Sequence, residues 1–128
     1  MNDPFALVIE DDPDAAAIFS TALQVAGFEV ETISSGDKAI ERLQVVTPAM
    51  IVLDLHLPRV AGTDVLAHIR ADPRLKEVPV IVATADASMA DLTDEHADLV
   101  LLKPTTFSQV RDLAIRLKSQ GKNAEAAE

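Results

Sequence analysis

Ile51-Val52-Leu53-Asp54-Leu55-His56-Leu57-Pro58 is an apolar run that carries one carboxylate and closes on a proline. A short, unbroken apolar stretch of this kind suits a strand buried on both faces of a parallel sheet. A second run, Ala6-Leu7-Val8-Ile9, ends in the same way on Glu10-Asp11-Asp12. Two strands therefore deliver acids to one sheet edge. Carboxylates gathered there repel one another, and they stay ionised together only with a lysine or a divalent metal among them.

Outward from these two runs, apolar stretches alternate with segments of helical period, the pattern of repeated strand-helix units around a parallel sheet. Five strands are predicted: Phe5 to Glu10, Phe28 to Ile33, Met50 to Asp54, Val78 to Ala83 and Asp98 to Leu102. Pro13 opens a first helix whose apolar face carries Ala15, Ile18, Ala22 and Val25, and Gly27 stops it. Ser34 or Ser35 caps a second helix to about Val46, where Thr47-Pro48 ends it. Gly62-Thr63 opens a third, with Val65, Leu66 and Ile69 inward and Asp72-Pro73 as the break. Another is expected from Ala87 to about Glu95, anchored only by Met89 and Leu92. The last places Phe107, Val110, Leu113 and Leu117 at helical spacing. The expected organisation is one α/β domain over residues 1–121, with a polar C-terminal tail over 122–128 after Gly121.

Composition narrows the class of function. The 128 residues include no cysteine, which excludes a disulfide framework and any thiolate-held metal and suits a reducing cytoplasm. Met1-Asn2-Asp3-Pro4-Phe5 lacks the positive flank of a signal peptide, and no apolar stretch approaches membrane-spanning length. A net charge of -10 repels nucleic acid phosphates and anionic lipid, so neither nucleic acid nor membrane is expected as a partner.

Open parallel sheets bind ligands beyond the carboxyl ends of their strands, where strand order reverses. The residues of interest all fall there: Glu10, Asp11 and Asp12 after the first strand, Asp54 on the third, Thr84 after the fourth and Lys103 after the fifth. Asp12, beside Pro13, reads as a helix cap rather than a ligand. Any one of these could be an ordinary strand-end polar group, but four strand ends converging on one edge weaken that account.

These residues resemble the receiver domains of two-component response regulators, the CheY-like superfamily. The resemblance lies in Glu10-Asp11-Asp12-Pro13, in Asp54 with Pro58 and Gly62, in Thr84-Ala85 and in Lys103-Pro104, in the family's order and across nearly the whole chain. It implies a flavodoxin-like, doubly wound (βα)5 fold with a five-stranded parallel sheet ordered 2-1-3-4-5 and helices on both faces. Asp54 then corresponds to a phosphoacceptor that receives a phosphoryl group from a phosphohistidine. Mg²⁺ is the implied cofactor, with Asp11, Asp54 and the backbone carbonyl of His56 as direct ligands and Glu10 binding through water. Lys103 is implied to pair with Asp54 and then with the phosphoryl group, and Thr84 to hydrogen-bond it. The implied partner is a sensor histidine kinase or phosphotransfer protein, and the chain is expected to be a monomer or weak dimer that signals and is not itself an enzyme.

The chain departs from the family pattern in three places. Val100 stands three before the lysine, where many receivers carry tyrosine or phenylalanine, and the chain has no tyrosine or tryptophan. Thr84 and Lys103 lie 19 positions apart, shorter than usual by about one helical turn. Thr105 stands where phenylalanine often follows the proline directly, and Phe107, two residues later, is expected to supply that packing. His56 and Asp86 flank the implied site and could face each other across its mouth, or both could be solvated loop residues. The leading expectation is a phosphoacceptor receiver. A receiver-like scaffold that does not switch, a receiver excised from a larger regulator, and, last, a hydrolase working through an aspartyl phosphate are the alternatives.

Overall fold

The computed structural model describes residues 3–86, 88 and 97–127, with the side chains of 119–127 left aside. Its elements are β1 (Phe5–Ile9), α1 (Pro13–Val25), β2 (Glu29–Ile33), α2 (Gly36–Leu43), β3 (Met50–Asp54), α3 (Gly62–Ala71), β4 (Val80–Thr84), β5 (Leu99–Leu102) and α4 (Phe107–Ala127). The strands form one all-parallel sheet in the order β2-β1-β3-β4-β5. This is the doubly wound order that the resemblance implied.

Alternation along the central strands explains why helices cover both faces, since successive side chains point to opposite sides and both sets are apolar. Ala6, Val8, Val52 and Ile81 pack with Phe19, Ala22 and Leu23 of α1 and with Val110 and Ala114 of α4. Leu7, Ile9, Ile51 and Leu53 pack with Ala39 and Leu43 of α2 and Val65, Leu66 and Ile69 of α3. The expected inward face of α1 is rotated, because Ile18 and Val25 are 39% and 59% exposed. Burying Phe19 and Leu23 removes more apolar area from water than burying Ile18 and Val25, so the helix turns to favour them.

Boundaries shift for local reasons. β4 begins at Val80 rather than Val78, because the Val78 N–H closes the preceding turn onto Leu75 O and Pro79 has no N–H to give the ladder. α2 stops at Leu43 rather than near Val46, its last turn tightened by Gln44 N–H to Glu41 O and Val45 N–H to Arg42 O. The α4 backbone runs past Gly121, where the sequence suggested a tail. One glycine inside a helix costs only about 1 kcal/mol against alanine, and alanine and glutamate follow it. The helix expected over Ala87 to Glu95 falls outside the described residues, apart from Ser88.

Two clasps fix the periphery. Gly27, at φ 100°, ends α1, and the Lys118 ammonium of α4 donates to the Ala26 and Gly27 carbonyls at 3.3 Å each, over the ring of Phe28. At the amino ends of β4 and β5, the Asp98 carboxylate accepts from Val80 N–H at 2.7 Å and from Arg70 at 3.0 Å, while Arg70 also donates to Lys76 O and Val78 O.

Gly62 carries an unambiguous steric demand. A Cβ there would be driven into the Asp54 carbonyl oxygen and the Leu55 Cα, so the start of α3 lies flat against the end of β3. Helix propensity alone favours alanine at this position by about 1 kcal/mol. Overpacking against backbone outweighs it, so Gly62→Ala is expected to lower stability by about 2–3 kcal/mol in urea denaturation.

Candidate functional site

Sheet register brings the strand-end residues together. Ile9 stands opposite Leu53, Asp54 opposite Ala83, and Thr84 opposite Leu102. One step beyond each pairing, Glu10 meets Asp54 in the crevice between β1 and β3, and Lys103 follows Thr84 across β4 and β5. This crevice is where strand order reverses, because β2 lies on one side of β1 and β3 on the other.

Side chains complete the convergence. Glu10, Asp11 and Asp54 each bring a carboxylate oxygen within 4.8 Å of the others; Glu10 and Asp54 are buried and Asp11 is exposed. The Lys103 ammonium lies 2.7 Å from Glu10 Oε1 and 3.7 Å from Asp54 Oδ1. Lysine therefore engages both acids, but its tighter partner is Glu10, a pairing the sequence did not reveal. Asp54 Oδ1 also accepts the His56 N–H at 3.2 Å, and Glu10 Oε2 accepts the Asp12 N–H at 3.2 Å. Thr84 is fully buried; its hydroxyl accepts the Asp86 N–H at 3.1 Å and its carbonyl accepts the Lys103 N–H at 2.8 Å, so Thr84 fixes the lysine backbone. The Lys103-Pro104 peptide that follows is cis.

The flanking residues take definite places. Asp12 caps α1 by accepting the Ala15 N–H at 3.0 Å, as expected. The Asp86 carboxylate accepts from both the N–H and the hydroxyl of Ser88, which holds it in its own loop; His56 is exposed at the rim. Val100 packs towards the α2 and α3 side of the core. Sequence reasoning missed Arg59, which sits at φ 76° in a three-residue γ-turn closed by Val60 N–H to Pro58 O at 2.9 Å. No signal marked it, because arginine is not a residue type that favours this region.

Electrostatics follow from burial. Loss of water pushes the Glu10 carboxyl up to about 7; Lys103 opposes this, and the neighbouring Asp54 adds to it. Burial pulls Lys103 down, but Glu10, Asp54 and Asp11 together outweigh that effect and hold its ammonium above the usual lysine value. Three acids against one ammonium leave a negative hollow of hard oxygen donors, a set that suits a small divalent cation. Beside it, a groove of about 400 Å³ runs between α1 and the segment after β5, lined by Asp14, Ala15, Ile18, Lys103, Pro104 and Thr105.

Comparison with known proteins identifies the family. Residues 6–115 match the family model described as the response regulator receiver domain. The chain belongs to that family. It is 31% identical to the probable methanogenesis regulatory protein FilR2 of Methanothrix harundinacea, over 91% of this chain and 83% of that protein. To the phosphate regulon transcriptional regulatory protein PhoB of Rhizobium meliloti it is 37% identical, over 91% of this chain but 55% of that protein. The chain thus spans about half the length of PhoB and of several other regulators that it matches. Among solved structures, the receiver domain of the sensor histidine kinase PA1611 from Pseudomonas aeruginosa superposes with a TM-score of 0.80 at 24% identity, over 90% of this chain and 97% of that one; its crystal structure has magnesium coordinated in the active-site cleft. Receiver domains of this family are signalling modules rather than ordinary enzymes, work with histidine kinases or phosphotransfer proteins, and bind Mg²⁺ at an acidic site. No helix among the described residues is long and apolar enough to cross a membrane.

The raised Glu10 value has a checkable sign. Its folded pKa exceeds its unfolded one, so its contribution to stability is complete below about pH 4.5 and is lost as pH rises through about 7. In metal-free protein, wild type is expected to lose stability relative to Glu10→Gln between pH 5 and pH 7.5, by an amount on the order of 2 kcal/mol, read from urea midpoints at the two pH values.

Proposed function

We propose that the chain is a phosphoacceptor receiver in which Asp54 takes a phosphoryl group from the phosphohistidine of a sensor kinase or phosphotransfer protein. The observation that carries this reading is the convergence, by sheet register, of a buried Asp54 carboxylate with Glu10, Asp11, Thr84 and Lys103. An Asp54 oxygen attacks phosphorus, forming an acyl phosphate as the phosphorus–nitrogen bond to histidine breaks and the imidazole leaves. Oδ1 is engaged by the His56 N–H and lies 3.7 Å from the Lys103 ammonium, which favours Oδ2 as the attacking oxygen.

Asp11 and Asp54, with the His56 carbonyl, would hold Mg²⁺ directly, and Glu10 would hold it through water. The metal would neutralise charge building on the phosphoryl oxygens. Lys103 supplies a second positive charge at short range, acting as a point charge on one phosphoryl oxygen. Thr84 offers its hydroxyl, and Ala85 beside it leaves room for the group to enter. Ile18, exposed on the groove beside Lys103, offers a partner helix an apolar seat next to the site. The phosphorylated form signals through altered protein contacts.

Incubation with Mg²⁺ and acetyl phosphate, followed by intact mass, tests the reading. Wild type is expected to gain one phosphate and Asp54→Asn none. Donor turnover far beyond one equivalent would favour a hydrolase, and no adduct would favour a scaffold that does not switch. Asp11→Asn is expected to weaken Mg²⁺ binding at least tenfold, roughly, by isothermal titration.

A further inference from the structure

We infer that the loop after Asp54 is a strained latch that reports the state of the phosphoacceptor to the amino end of α2. This rests on the phosphoacceptor reading of Asp54. The latch is built from backbone. Asp54 Oδ1 accepts the His56 N–H at 3.2 Å. Two residues on, the Pro58 carbonyl accepts the Val60 N–H at 2.9 Å, closing the γ-turn at Arg59, and also the Gly36 N–H at 3.3 Å, the first residue of α2. Gly36 lies so close to this turn that a Cβ would overlap the Val60 carbonyl. At the loop's far end, Gly62 N–H returns to Leu55 O at 3.0 Å.

Arginine at φ 76° is a conformation that L side chains with a Cβ rarely adopt, and it persists only where the surroundings over-determine it. The hydrogen bonds that frame the loop are those of the His56 N–H to the Asp54 carboxylate and of the Val60 and Gly36 N–H groups to the Pro58 carbonyl. A phosphoryl group on Asp54 presents new acceptor oxygens to the His56 N–H and draws it off Oδ1, which shifts one anchor of the loop outward along the acyl phosphate. Arg59 then relaxes towards negative φ, the Pro58 carbonyl rotates, and the Gly36 N–H loses its acceptor. What changes outside is the seating of α2, whose Asp37, Lys38 and Glu41 are exposed. The turn is the two-state element, and the hydrogen bonds on either side of it bias which state is held.

Amide hydrogen exchange on the full chain, with and without acetyl phosphate and Mg²⁺, tests the latch, with intact mass run on the same samples. In phosphorylated wild type the Gly36 amide is expected to exchange faster by roughly fivefold or more. The Gly27 amide, bonded within the end of α1, should stay constant and so exclude general loosening. Arg59→Gly holds positive φ without strain, so it should accept phosphate as wild type does while the Gly36 response falls below about twofold. An adduct with unchanged Gly36 exchange, an equal rise at Gly27, or a full response in Arg59→Gly overturns the latch and leaves the phosphoacceptor reading intact. No adduct at all overturns both.

Discussion

Two carboxylates that water scarcely reaches, Glu10 and Asp54, share one ammonium at the end of adjoining parallel strands. Without Lys103 the pair would hold uncompensated charge where the dielectric is low, and one acid would have to take up a proton to remain there. The surrounding architecture serves that arrangement. β1 and β3 must lie side by side, which the 2-1-3-4-5 order provides, and β5 must carry Lys103 alongside Thr84, which the β4–β5 register provides. The core on either face holds these strands at fixed spacing, so the site inherits its precision from packing that lies far from the chemistry.

Much of this was legible because parallel strands leave a plain trace. Unbroken apolar runs located Asp54 and Glu10 at strand ends, and Pro13, Gly27 and Pro48 punctuated the helices between them. Which residue Lys103 grips was not legible, because a difference of about one methylene in side-chain reach, invisible to motif spacing, decides between Glu10 and Asp54. The rotation of α1 was hidden for a similar reason: Ile18 and Phe19 are neighbours in sequence, and either could have headed the apolar face until the sheet chose. Arg59 left no mark at all, since its positive φ goes with hydrogen bonds that its neighbours Pro58 and His56 make to Gly36 and Asp54, bonds that the local sequence does not display.

Family membership settles the class of molecule, and the curated regulators that the chain resembles divide into those of similar length, such as FilR2, and those about twice as long, such as PhoB. The portion matched by the family model, residues 6–115, carries the whole sheet. In this chain the features set apart from the family pattern, Val100 and the spacing from Thr84 to Lys103, lie on the β4–β5 side.

The Asp98–Arg70 clasp at the opposite end of β4 and β5 bears on how that side can respond. Charge-assisted bonds pin the amino ends of these strands, whereas their carboxyl ends meet the hollow. A displacement begun at Thr84 or Lys103 would therefore be levered about this heel, with its amplitude growing towards the mouth.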